Sequence, residues 1–181
     1  LSPDPITVCH RLATLYQLQE HQEPCLVLTS AEAILRRVLP ASVLNSRCEL
    51  VIAGEETDRD GLITALVAAG YQTCDMVRQE GDLALRGGIV DVFPPALDGA
   101  TAGPLRLDFF GDTVESIRLF DPLSQRSRQS LTEAVLLPAS DLLFPSEGQR
   151  EELLSCLGRA AEQHQWRSAE VRMLRERLAS G

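Results

Sequence analysis

Leu12, Leu15 and Leu18 recur at the spacing that brings side chains to one face of a helix, with Ile6 and Val8 ahead of them. An amphipathic helix is therefore predicted over Ile6–Leu18. Pro24 leads into Cys25-Leu-Val-Leu28, a short apolar run between turn signals that reads as a buried strand. Ser30 is a good N-cap for a helix through Ala31–Val38, and Pro40 stops it. Helix, strand, helix is an α/β fragment with too few strands to complete a sheet.

From about residue 48 the pattern changes. Glu49–Ala53 reads as a strand. Thr57 or Asp58 caps a helix that ends near Gly70 and carries Leu62, Leu66 and Val67 on one face. Strands are predicted over Tyr71–Val77, Gly81–Phe93, Leu105–Phe110, Thr113–Phe120 and about Thr132–Leu137, with a turn-rich loop from Pro94 to Pro104. This is an α+β unit with an antiparallel sheet. After Pro145 the chain turns charged and helical, over Glu147–Ala161 and Ser168–Leu178, with a break around Gln163–Gln165.

Leu105–Phe120 is the most informative stretch. Gly111-Asp112 fits a two-residue hairpin turn in which glycine supplies the positive φ. That register sets Phe110 opposite Thr113, Asp108 opposite Glu115 and Arg106 opposite Ile117. Alternation gives Leu105, Leu107, Phe109 and Val114 to a core face. Arg106, Asp108, Phe110, Thr113, Glu115 and Ile117 fall on the other. The second face carries a large aromatic among charges and sets two carboxylates against each other, a repulsion that Arg106, diagonal to Glu115, can offset. An aromatic ringed by arginine and acids is the chemistry of an interface anchor. The competing reading tucks Phe110 under a loop and leaves the charges solvated, and a one-residue bulge would exchange Phe109 and Phe110. Upstream, Arg86 precedes a Gly-Gly pair that marks a bulge or the close approach of another backbone or a partner.

Composition narrows the function classes. The 181 residues fit one medium domain or two small ones. The net charge of −9 and a pI of about 4.8 weigh against a DNA-gripping surface. All 17 basic residues are arginine, which suits interfaces through its carboxylate-matching fork, although a GC-rich genome gives the same bias. The five cysteines are odd in number and widely spaced, which points to buried free thiols in a reducing, cytoplasmic setting, with neither disulfides nor zinc. No stretch is long and apolar enough for a membrane span, and no signal peptide opens the chain. Leu1 in place of Met reads as a piece of a longer protein. No catalytic constellation stands out: HExxH, GxSxG and the phosphate-loop pattern are missing, and there is no lysine to complete the last. Asp91, Asp108, Asp112 and Glu115 read as solvent-facing acids, not as a magnesium site. No catalytic residue, metal or cofactor is expected.

Arg86-Gly-Gly-Ile-Val-Asp-Val-Phe-Pro94 and Leu105-Arg-Leu-Asp-Phe-Phe-Gly-Asp-Thr-Val-Glu-Ser-Ile-Arg-Leu-Phe-Asp-Pro122 closely resemble the module shared by the excision-repair protein UvrB and the transcription-repair coupling factors. The continuation Leu123-Ser-Gln-Arg-Ser127, then Leu136-Leu-Pro138, and the opening Arg11–Gln17 look like the coupling factors. The resemblance covers about residues 6–160. It implies a motor-like α/β domain interrupted by a small insert: residues 1–47 would end a truncated first half, 48–138 would be the inserted α+β domain, and 139–181 would return, helical, to the α/β domain. It further implies a non-catalytic module whose insert binds UvrA and so recruits excision repair to stalled RNA polymerase. The translocase motor and the contacts to RNA polymerase and DNA would lie in regions absent from this chain. The family's UvrA-contacting residues fall on Arg86, Arg106 and Phe110, with Asp108 and Glu115 as supporting positions. A fragment of a UvrB-type helicase or ATPase is the alternative.

Overall fold

The computed structural model describes residues 4–20, 23–96, 103–141 and 147–180. The chain divides into two compact units, Leu1–Asp141 and Leu142–Gly181.

The first unit opens with helix α1 (Pro5–Glu20), whose Val8 and Leu12 pack with Leu44 from the short helix α3 (Ala41–Asn45). Between them α2 is a single turn, Ala31–Ile34; the Ser30 hydroxyl caps it as predicted, accepting from the Ala33 N–H, but the helix stops four residues short of Val38. The strand expected at Cys25–Leu28 does not form. A strand exists only where a neighbour takes up its backbone N–H and C=O groups, and among the described residues nothing pairs with this run. Leu26 and Leu28 are instead 86% and 87% exposed.

Strand β1 (Glu49–Ile52) pairs antiparallel with the late strand β8 (Glu133–Leu136). Helix α4 (Arg59–Ala68) follows β1, and the Asp58 carboxylate caps it by accepting from the Gly61 N–H at 2.9 Å. Leu62 and Leu66 of α4 are buried, whereas Val67, expected beside them, is half exposed.

The main sheet has the order β2 (Gln72–Thr73), β3 (Asp82–Arg86), β4 (Ile89–Val92), β5 (Leu105–Phe110), β6 (Thr113–Phe120) and β7 (Ser127–Leu131). Its pairs are antiparallel except β2–β3, which is parallel, so the sheet is mixed. The strand predicted over Tyr71–Val77 shrinks to two residues. The one predicted over Gly81–Phe93 is a hairpin, folded at Gly87-Gly88. Strand β7 escaped the sequence pattern because, on the free edge, its Ser-Arg-Gln-Ser residues are exposed and no apolar alternation marks them. Of the loop from Pro94 to Pro104, residues 97–102 lie outside the described part.

One face of this sheet builds the core. Leu83, Val90, Val92, Leu105, Leu107, Phe109, Val114, Ile117 and Leu119 form one cluster with Leu62 and Leu66 of α4, Val51 of β1, Ala134 and Leu136 of β8, and Cys9 of α1. Tyr71 is buried there and donates its hydroxyl to the Leu137 carbonyl at 2.6 Å. Helix α1 is further tied to the unit by an Arg11–Asp141 ion pair and by His10 Nε2 at 3.5 Å from Glu80.

In the second unit α5 (Glu147–Gln163) and α6 (Ser168–Ser180) pack together across a break in which Gln165 takes a positive φ. This is the helical pair and the interruption that the sequence predicts.

Candidate functional site

The opposite face of the six-stranded sheet is where the candidate residues converge. Cross-strand register places Arg86, Ile89, Asp108 and Ser116 on one rung, and Ala84, Asp91, Arg106, Arg118 and Ser130 on the next. Side chains alternate along a strand, so Arg86, Arg106, Asp108 and Phe110 belong to a single face. Phe110 closes β5 immediately before the Gly111-Asp112 turn, opposite Thr113 as expected, and is 76% exposed. An aromatic ring loses apolar burial when left in water, so this position is not maintained by the chain's own core.

Three parts of the predicted hairpin need correction, and all trace to one bulge. Val114 faces Phe109 but Ser116 faces Asp108, so Glu115 is an extra residue without an opposite number on β5. Asp108 therefore opposes Ser116, not Glu115, and Arg106 opposes Arg118, not Ile117. The bulge shifts alternation by one and turns Ile117 into the core, where it is fully buried. It lies in β6, so Phe109 stays buried and Phe110 stays out. The carboxylate clash does not arise: Asp108 accepts from the Ser116 hydroxyl and from Arg118, whose Nε lies at 3.1 Å.

Arg106 does not stand up into solvent beside Phe110, as alternation alone suggests. Its guanidinium lies along the sheet and donates twice to Asp91, Nε to Oδ1 at 2.7 Å and Nη2 to Oδ2 at 2.8 Å. It also covers the Phe120 ring at 4.8 Å and directs Nη1 to the Gln125 carbonyl. Asp91 is buried, and its fork-to-fork partner satisfies both oxygens. The hydrogen bonds to Asp91 push the Arg106 pKa further up, against the opposing effect of desolvation, so the charge is held at any working pH. Val77, Ala84 and Phe120 form a small second core at this end of the face.

Arg86 ends β3 and is exposed, with Nη2 donating to the Asp75 carbonyl at 3.2 Å. The Gly-Gly pair after it forms the β3–β4 turn, and it also meets another backbone: the Phe109 N–H donates to the Gly88 carbonyl at 2.7 Å. A Cβ on Gly88 would sit 2.7 Å from the Phe109 carbonyl oxygen, so only glycine fits.

Sequence reasoning missed Arg118 and Gln125, and it read Asp91 as a solvent-facing acid, whereas Asp91 is buried under Arg106. Asp91 carried a signal, since an acid set among the apolar residues Ile89-Val-Asp-Val92 belongs to a strand inside the sheet and, once covered, calls for a cation. Among the described residues no cluster of three or more His, Cys, Asp or Glu side chains is placed to hold a metal ion, and no helix is long and apolar enough to cross a membrane.

The face is a sheet surface on which Arg106 and Arg118 are paired with Asp91 and Asp108, Arg86 is exposed at a strand end and one large ring is left out. Residues 51–142, which contain all of it, match the UvrB interaction domain. The chain belongs to the UvrB interaction domain family. Its relatives include proteins named transcription-repair-coupling factor from Myxococcus xanthus, 44% identical over 81% of this chain, and from Escherichia coli strain K12, 37% identical over 84%. That of Bacillus subtilis strain 168 is 32% identical over 94%. The matched segments amount to only 12%, 13% and 15% of those proteins. In this UvrB interaction domain, then, the exposed ring, the edge arginine and the buried Asp91–Arg106 pair occupy the same sheet face.

Proposed function

We propose that this chain is the UvrA-docking module of a transcription-repair coupling factor and has no catalytic activity of its own. The observation that carries the reading is Phe110, exposed on a sheet face that also presents Arg86, within a domain of the UvrB interaction family. Aromatic and arginine side chains centred on a patch are the groups that usually carry binding energy at protein interfaces. In this reading Phe110 and Arg86 enter the partner's surface directly. Arg106 offers the edge of a guanidinium already fixed by Asp91, while Asp108 and Glu115 form part of a polar rim.

The wider role follows from the relatives' name. Docking UvrA would bring excision repair to a stalled RNA polymerase in the bacterial cytoplasm, and the translocase motor and the contacts to polymerase and DNA would belong to other regions of the protein. Residues 48–138 would be an insert in a motor-like α/β domain represented here by residues 1–47 and 139–181. A UvrB-type ATPase fragment is the poorer fit, because the chain has no lysine for a phosphate loop.

Titration of UvrA into the full chain by calorimetry tests this. Phe110→Ala and Arg86→Ala should each weaken binding by about 1–3 kcal/mol, the cost of truncating an interface anchor. Unchanged affinity in both variants, with melting curves like the parent's, would remove the assignment.

A further inference from the structure

Phe110 stands between two tight turns. Gly111-Asp112 follows it on its own strand, and Gly87-Gly88 lies alongside, joined through the Phe109 N–H. Both turns use positive-φ glycines, at +58° for Gly87 and +62° for Gly111, and a Cβ at either would meet nothing within 4 Å. Neither turn is packed from outside, so each depends on hydrogen bonds for its position. Apart from the Phe109 N–H, those bonds come from one place, the start of α4. The Asp112 carbonyl accepts from the Thr57 N–H at 2.7 Å, Asp112 Oδ1 lies 3.4 Å from the Arg59 N–H, and Glu56 bridges to Thr113. The other turn is held by a side chain: Arg59 Nη2 donates to the Gly87 carbonyl at 2.7 Å, while Nη1 is kept in line by Asp60 at 2.9 Å. Arg59 Nε is buried with no partner among the described residues. A buried donor is rarely left unsatisfied without a reason, and here the reason is the reach that brings the guanidinium to Gly87.

We infer that Arg59 is a positioning residue for the docking face, clamping the β3–β4 turn to the root of the β5–β6 turn so that Phe110 is presented on a fixed platform. The inference rests on the docking reading above. Its physical content is preorganisation: a partner that must first order a loose turn spends part of its contact energy on that ordering. Arg59 acts through Gly87 and Phe110 and does not enter the interface itself.

The test uses the full chain with Arg59→Met, which retains the stem and the backbone N–H but removes every side-chain donor, and Arg59→Lys, which returns a single donor group. Amide hydrogen exchange in the free chain should speed up several-fold in Arg59→Met at Phe109, whose N–H bonds to the Gly88 carbonyl. Thr57 and Val114, held by backbone bonds alone, should exchange as before, a contrast that general loosening of the fold does not produce. UvrA affinity should fall about tenfold in Arg59→Met, recover in part in Arg59→Lys, and fall no further than Phe110→Ala alone when the two are combined. Losses that add would make Arg59 a direct contact and overturn the inference. Unchanged exchange at Phe109, unchanged affinity, or a Met variant that does not fold would overturn it too. If the unsubstituted chain does not bind UvrA, the docking reading fails and the positioning role with it, while the exchange contrast still reports whether the clamp exists.

Discussion

Arg106 illustrates what alternation does and does not determine for a single side chain. Strand parity assigns it correctly to the face that carries Arg86 and Phe110. Parity cannot say whether a long side chain rises from the sheet or lies along it, because that depends on a cross-strand neighbour, and Asp91 is paired with Arg106 only once β4 and β5 are in register. With Asp91 buried and the Arg106 side chain only 16% exposed, the pair is little screened by water. Arg106→Ala would strand a buried carboxylate, and the fold should lose about 3 kcal/mol in urea or guanidinium melts. The double variant Asp91→Ala, Arg106→Ala should recover part of that. A single variant as stable as the parent would show that the pair contributes nothing. Phe110 contrasts with Arg106: alternation puts it on the same face but leaves open a ring tucked under a loop or exchanged with Phe109, and it is the structure, with the bulge in β6 and the ring 76% exposed, that decides between them.

At the scale of elements, the segments whose environment repeats their own pattern were legible: α1, the capped α4, the β5–β6 pair and the helical couple after Pro145. Those that depend on a distant partner were not. Cys25–Leu28 has the composition of a strand but no neighbour among the described residues, and β7 has a neighbour but not the composition. Gly81–Phe93 reads as one strand because Leu83, Leu85 and Ile89 keep to odd positions across Gly87-Gly88; the fold-back shows in the pairing of Leu83 with Val92 and in the close contact of Gly88 with Phe109. That contact yields a graded expectation. Gly88→Ala drives a Cβ into the Phe109 carbonyl and should cost about 1–3 kcal/mol, the range of local strain that cannot relax. Gly111→Ala meets open space and bears only the left-handed φ, roughly 1 kcal/mol. Thermal melts that rank the two the other way would contradict this account of the turn.

For the molecule as a whole, the cysteines divide more sharply than their spacing suggests. All five are free, but only Cys9 is fully buried; Cys48 and Cys74 are partly so, and Cys25 and Cys156 are exposed, against the expectation of buried thiols throughout. Burial, reinforced by nearby Glu80 and Asp4, pushes the Cys9 thiol up from 9.0 to about 12, and its Sγ–H is directed at the Ala139 carbonyl. Iodoacetamide at pH 8 should therefore modify Cys25 and Cys156 readily and reach Cys9 only on unfolding, which mass spectrometry of timed samples would resolve. The same shift has a sign in stability. Below about pH 9 the thiol is protonated in both states; between there and about 12 the unfolded chain gives up its proton while the folded chain keeps it, so stability falls as pH rises. Tyr71, buried and raised well above its usual value by burial, adds in the same direction. Denaturant midpoints that stay level from pH 8 to 11 would argue against a sealed core at Cys9.

The unmatched Glu115 also bears on chain length. Before it, odd and even positions of β6 serve one assignment of inside and outside; beyond it, they serve the reverse. Removing Glu115 itself would set Val114 and Ser116 side by side opposite Phe109 and Asp108, which restores unbroken alternation and leaves Ile117 and Leu119 inside and Arg118 outside. At this one position the hairpin can lose a residue without turning the strand over, whereas β5, paired at every residue, has no spare one to give up.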